Sequence, residues 1–90
     1  MADVYIASSL AQYAEGNRFV VMHGSTVEEI LSGLGDLYPD FRERVFDAGG
    51  ALRPHVALFV NDTHIVAKRD LTMSVGEADE IAVISAIAGG

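Results

Sequence analysis

The stretch "GSTVEEILSGLGDLYPD", Gly24 to Asp40, decides the fold, because it carries the clearest helical spacing in the chain. Val27, Ile30, Leu31 and Leu34 recur at i, i+3, i+4 and i+7, which places one apolar stripe along a helix. Ahead of that stripe, Ser25 with Glu28, or Thr26 with Glu29, can form a capping box. In either pair each residue satisfies a free backbone donor of the other. Gly33 and Gly35 weaken such a helix by about 1 kcal/mol each relative to alanine. Pro39 disfavours helical geometry at Tyr38, so the helix stops there or earlier.

Strands flank this helix on both sides. Upstream, "DVYIAS" alternates Val4 and Ile6 against Asp3, Tyr5 and Ala7, the period-2 mark of a strand with one buried face. Gly16-Asn17 signals a turn and "RFVVMH" resumes as a second strand, so the N-terminal part reads as a hairpin. Downstream, "DFRERVFDAGG" predicts a short second helix capped by Asp40, with Phe41, Val45 and Phe46 facing inward. "HVALFVND" is a third strand with Val56, Leu58 and Val60 on one face, turning at Asn61-Asp62. "THIVA" is a short fourth strand, "KRDLTMSVGEAD" a loop with a buried Leu71, and "EIAVISAI" the last strand. The order β-β-α-(α)-β-β-β describes an α+β layer with one main helix crossing one face of a mixed sheet of four to five strands. The last strand can then lie parallel beside the first, because the helix separates them in sequence. That arrangement is the β-grasp, the ubiquitin-like roll.

Ninety residues, half of them hydrophobic, support one domain, residues 1–90. Zero cysteines exclude a disulfide framework, a thiolate metal site and a cysteine nucleophile. The net charge of −7, from six Lys plus Arg against thirteen Asp plus Glu, argues against nucleic acid as a partner. Apolar stretches run under about ten residues, too short to span a bilayer, so no membrane partner is expected. "MADVYIASSL" has neither a positive n-region nor a long h-region, and the expectation is a soluble, cytoplasmic domain.

Most candidate chemistry reduces to ordinary structure. His23, His55 and His64 fall in strands or at strand ends, with no i,i+4 pair, so no metal site is expected. Ser8, Ser9, Ser25 and Ser85 have no base at motif spacing, and "GST" opening a helix is a cap. "GGALRP" and "GLGD" lack a Walker A lysine and the strand-to-helix dinucleotide pattern. Glu77, Asp79 and Glu80 before the last strand form either a solvated turn or an acidic patch for a basic partner. Tyr5, Phe59 and Ile84 alternate with the inward residues of their strands. On adjacent strands they would form an exposed apolar patch and a partner-binding surface.

The remaining feature is "AIAGG", residues 86–90. Gly49-Gly50 shows that the dipeptide alone says little, but at 89–90 it follows a strand directly. The domain is expected to end in a flexible Gly-Gly arm of about residues 86–90, reaching at most about 17 Å. Ala88, Gly89 and Gly90 have side chains small enough for a narrow channel, and glycine adopts whatever backbone angles the channel demands. The group delivered would be the carboxylate of Gly90. A carboxylate is a poor acyl donor, but an acyl-adenylate supplies a leaving group that a sulfur nucleophile displaces to give a thiocarboxylate. The hard chemistry would then reside in partner enzymes.

At this point the sequence resembles the ubiquitin-like sulfur carriers: the small subunit of molybdopterin synthase, the thiazole-forming carrier of thiamine synthesis, and the carrier of thiocarboxylate-dependent cysteine synthesis. The helix "STVEEILSGLGDLYP", the "FVND" of Phe59 to Asp62, the "ADEIAVI" leading into the last strand and the terminal "AGG" carry the likeness. The long middle, "YPDFRERVFDAGGALRPHVALFVND", is most similar to the cysteine-synthesis type. Two positions depart from the pattern. Ala78-Asp79 replaces a frequent Gly-Asp, and Ser85-Ala86 replaces frequent prolines, which loosens the arm. The resemblance implies a carrier and not an enzyme, with no bound cofactor. Gly90 would be adenylated by a ubiquitin-activating-like adenylyltransferase/sulfurtransferase that uses ATP, then thiocarboxylated, then consumed by a sulfur-accepting synthase. The alternative is a ubiquitin-like modifier joined through Gly90 to lysines of other proteins.

Overall fold

The structure, a computed structural model, describes residues 2–65 and 71–85. Its centre is a five-stranded mixed sheet in the order β2-β1-β5-β3-β4, with β1 Ala2–Ile6, β2 Phe19–Met22, β3 Val56–Val60, β4 Thr63–Ile65 and β5 Glu80–Ser85. Strand β5 is central, parallel to β1 and antiparallel to β3. Period-2 alternation sends Val4 and Ile6, Leu58 and Val60, and Ile81 and Val83 to the same covered face. The register stacks them into rows, since Val4 faces Ile81 and Ile81 faces Val60, while Ile6 faces Val83 and Val83 faces Leu58.

Helix α2, Val27–Leu37, follows β2. Of the two capping pairs, Thr26 and Glu29 are used: Thr26 Oγ1 accepts from the Glu29 N–H at 3.2 Å, and the Glu29 carboxylate accepts from the Ser25 N–H at 2.7 Å. A further free donor of the first turn, the Val27 N–H, goes to the carbonyl of Met73 at 3.1 Å, and the Val75 N–H returns to Ser25 O at 2.9 Å. The 71–75 segment is thereby tied to the helix start, with Leu71 and Val75 buried. Val27, Ile30, Leu31 and Leu34 are at most 1% exposed. Burying four such side chains contributes about 1.5–3 kcal/mol each, which fixes the helix against the sheet.

Two expectations need correction. The β1–β2 pair is antiparallel, yet no tight hairpin joins it. Helix α1, Ser8–Ala11, and a 3₁₀ turn, Gln12–Ala14, intervene before Glu15 and Gly16 reverse the chain at positive φ. Leu10, Ala11 and Ala14 are buried there, so the insert adds to the core. Nor does Asp40 cap the second helix. Helix α3, Pro39–Val45, begins with Pro39 in its first turn and Tyr38 at the cap position, with no side-chain cap. Proline suits that place because its missing N–H would lack a helical partner anyway. Phe41 and Val45 are buried as expected, and Phe46 is partly buried.

Candidate functional site: the open face of the sheet

The uncovered face of the sheet is built by the residues that alternate with the core. One row crosses all five strands, because Phe19 pairs with Tyr5, Tyr5 with Ala82, Ala82 with Phe59 and Phe59 with His64. Tyr5 and Phe19 meet edge to face at 5.4 Å between centroids, and the Phe59 and His64 rings stack at 4.8 Å. Arg18 Nη2 donates to the Tyr5 hydroxyl at 2.6 Å, and its guanidinium lies 5.6 Å from the same ring. Ala82 therefore forms a low point between two aromatic walls, Tyr5 and Phe59. Ile84 continues the same side of β5, opposite Ala57.

Of the residues expected on this surface, Tyr5, Phe59 and Ile84 share the open face and are half-buried. Ala88, Gly89 and Gly90, and with them the expected arm, lie outside the described residues. The sequence reading missed Phe19 and Val21, which are 65% and 56% exposed, together with Arg18 and His64. The period-2 spacing of "RFVVMH" placed Phe19 and Val21 on one side and could have found them.

At the start of β5 the acidic cluster is built into the fold. Asn61, at φ 55°, donates its N–H to Glu80 O at 2.7 Å and its Nδ2 to Asp79 Oδ1 at 3.0 Å. Its Oδ1 accepts from the Glu80 N–H at 3.1 Å, while Asp79 Oδ2 accepts from the Gly76 N–H at 2.7 Å. The Asn61 amide first, and the Gly76 N–H second, hold the Asp79 carboxyl below the usual carboxylate range. Glu77 and Glu80 are exposed beside this clamp. His23 and His64 are exposed and His55 half-buried, and among the described residues no three His, Cys, Asp or Glu side chains converge on a metal-sized site.

A 2-1-5-3-4 mixed sheet with one helix across its covered face and an aromatic row across its open one defines a β-grasp protein of the ubiquitin-like class. The chain belongs to the ThiS family, whose profile matches residues 4–90. The sulfur carrier protein CysO of Mycobacterium tuberculosis is 28% identical over 89 residues, 97% of this chain and 96% of that protein. Its crystal structure superposes with a TM-score of 0.84 at 25% identity, covering 97% of this chain and all of the other. The Amycolatopsis orientalis BexX/CysO complex shares the fold, with a TM-score of 0.86 at 24% identity over 100% of both chains. The small archaeal modifier protein 1 of Haloferax volcanii is 26% identical with a TM-score of 0.76, covering 96% of this chain and 97% of that one. No helix among the described residues is long and apolar enough to cross a membrane.

Proposed function

We propose that the chain carries sulfur as a thiocarboxylate on Gly90. The single observation that carries this reading is the ThiS-family match, which runs from residue 4 through residue 90 and so includes Gly89-Gly90 beyond the central strand β5. In the proposed cycle a carboxylate oxygen of Gly90 attacks the α-phosphorus of ATP held by an activating enzyme, and pyrophosphate leaves. A sulfur nucleophile then attacks the acyl carbon and AMP leaves with the bonding electrons, which leaves sulfur where one oxygen stood. A synthase takes that sulfur into newly made cysteine, a related metabolite or molybdopterin, and hydrolysis of the acyl bond returns the Gly90 carboxylate. The chain supplies docking and delivery, binds no cofactor of its own, and works in the cytoplasm. Residues 86–90 act as the arm, and Tyr5, Phe59, Ile84 and Ala88 contact the partner.

The test is intact-protein mass spectrometry after incubation with a cognate activating enzyme, ATP and a sulfur donor. The expected product has one oxygen replaced by sulfur, absent when Gly90 is deleted. A chain that never gains sulfur under those conditions rules the reading out. The likeness to the archaeal modifier protein favours a second reading, conjugation through Gly90 to lysines. Immunoblots of cell extracts separate the two, because isopeptide ladders survive strong reductant whereas a carrier gives a single band.

A further inference from the structure

Six Lys plus Arg face thirteen Asp plus Glu in this chain, so a surface arginine has carboxylates to choose from. Among the described residues, however, one ion pair forms, between Arg42 and Asp36 at 2.7 Å. Arg44 of α3 and Arg53 make none among those residues. They line one depression of about 320 Å³, together with His55 and Glu43.

Both guanidinium groups are held in place by neutral contacts. Arg44 lies over the Tyr13 ring, 4.5 Å from its centroid. Arg53 donates its backbone N–H to Val45 O at 2.9 Å and its Nε to Glu43 O at 2.6 Å. A ring and a backbone carbonyl position a charge without cancelling it, so the Nη donors of Arg53 have no partner among the described residues. Fixed guanidinium forks of this kind match the oxygens of a tetrahedral oxyanion two at a time. An imidazole can add a ring N–H in either protonation state. Arg53 and Glu43 also line the adjoining hollow of about 560 Å³, where Phe46 and Ala48 stand beside Arg42 and the carboxylates of Glu28 and Asp47.

We propose that Arg44, Arg53 and His55 form a site for a phosphate-class oxyanion, with room beside it for the organic part of a monoester against Phe46. None of these residues belongs to the open sheet face or to residues 86–90, so the site stands or falls separately from sulfur transfer. Glu43 sets a sign. Its carboxylate lines the same depression and repels an anion, so neutralising it strengthens binding.

The experiment is an NMR titration of the full chain with inorganic phosphate and with phenyl phosphate, against sodium chloride at matched ionic strength. The amides of 44, 53 and 55 and the arginine Nε signals are expected to shift saturably with phosphate and not with chloride. Half-saturation for phenyl phosphate about tenfold below that for phosphate, 1.4 kcal/mol, assigns the ligand as an organic monoester, and equal values assign free phosphate. Arg53→Gln and, separately, Arg44→Gln are expected to weaken binding at least about tenfold, and Glu43→Gln to tighten it severalfold. Two variants are used because Arg53 also braces the loop that follows α3, and retained amide dispersion elsewhere shows that each is folded. Shifts that grow without saturation, that chloride reproduces, or that persist unchanged in both arginine variants overturn the proposal.

Discussion

Asn61 combines a left-handed backbone with three hydrogen bonds to the start of the strand that runs toward Gly90. Alanine at that φ costs about 1–2 kcal/mol, and each lost hydrogen bond about 0.5–1.5 kcal/mol net. Asn61→Ala, which loses the two side-chain bonds and keeps the backbone one, is therefore expected to lower unfolding free energy by about 2–5 kcal/mol. Asn61→Gly, which keeps the conformation and loses only the side-chain bonds, should cost about half of that. Urea denaturation of both variants checks the order, and a glycine variant as damaged as the alanine one would show that the backbone angle carries no strain. Asp79, the partner of Asn61, gives the same clamp a pH dependence. A carboxyl whose folded pKa is depressed adds stability that is present above its unfolded pKa and is lost as pH falls through the lower folded one. Asp79→Asn should accordingly be less stable than the parent at neutral pH, with the two curves converging in acid below the usual carboxylate range. Denaturation midpoints that stay parallel from neutral pH into strong acid would remove Asp79 from the linkage.

At the scale of elements, α2 shows why two glycines sit inside an otherwise strong helix. A Cβ on Gly35 would lie 2.5 Å from Arg42 Nε and 3.1 Å from Arg42 Cβ, so Gly35 lets α3 pack close and lets Arg42 reach Ser32 O and Asp36. A Cβ on Gly33 would meet only the Met22 methyl, at 2.9 Å, the free end of a flexible side chain. Gly33→Ala is thus expected to stabilise by up to about 1 kcal/mol through helix propensity. Gly35→Ala should fall below it by about 1–2 kcal/mol, because the same propensity gain is opposed by displacement of Arg42 and overpacking. Thermal or urea unfolding of the pair decides, and equal gains at both positions would refute the close-approach explanation. The helix itself was legible because capping residues, an apolar stripe and Pro39 all point to one answer. Helix α1 was not. Its buried apolar residues, Leu10 and Ala11, with Ala14 of the 3₁₀ turn that follows, cover little more than one turn, two of the three are small, and Gly16-Asn17 supplied a ready turn signal. The mistaken cap at Asp40 has the same root, since a side-chain cap and a first-turn proline are alternative ways to start a helix.

For the whole molecule, one face of the sheet carries the buried core, and the open face is the proposed docking surface. The covered face was readable from alternation in "DVYIAS" and "HVALFVND", and the same alternation placed Tyr5, Phe59 and Ile84 on the open side. Phe19 and Val21 were legible in the alternation of "RFVVMH", whereas His64 was not, because only the pairing of β4 with β3 brings it into the row. The proposed docking of a partner on this face predicts a spatial pattern of losses. Phe59→Asp places a charge beside Ala82 at the centre of the row, and Phe19→Asp places one at its β2 edge. Leu37→Asp, at a residue 56% exposed near the end of α2, is the control for removing surface apolar area. Leu37→Asp should leave the unfolding midpoint nearly unchanged, whereas Phe59→Asp and Phe19→Asp give up an aromatic contact and should lower it modestly, so rates are compared at a temperature where all three variants are folded. The rate constant kcat/KM for thiocarboxylation by the activating enzyme is expected to fall at least about tenfold for Phe59→Asp, equivalent to 1.4 kcal/mol, because energy concentrates in central aromatic contacts. The loss at Phe19 should be smaller, since rim positions contribute less, and Leu37→Asp should match the parent. Unchanged rates at Phe59, or equal losses at Phe59 and Leu37, would mean that the partner does not read this face.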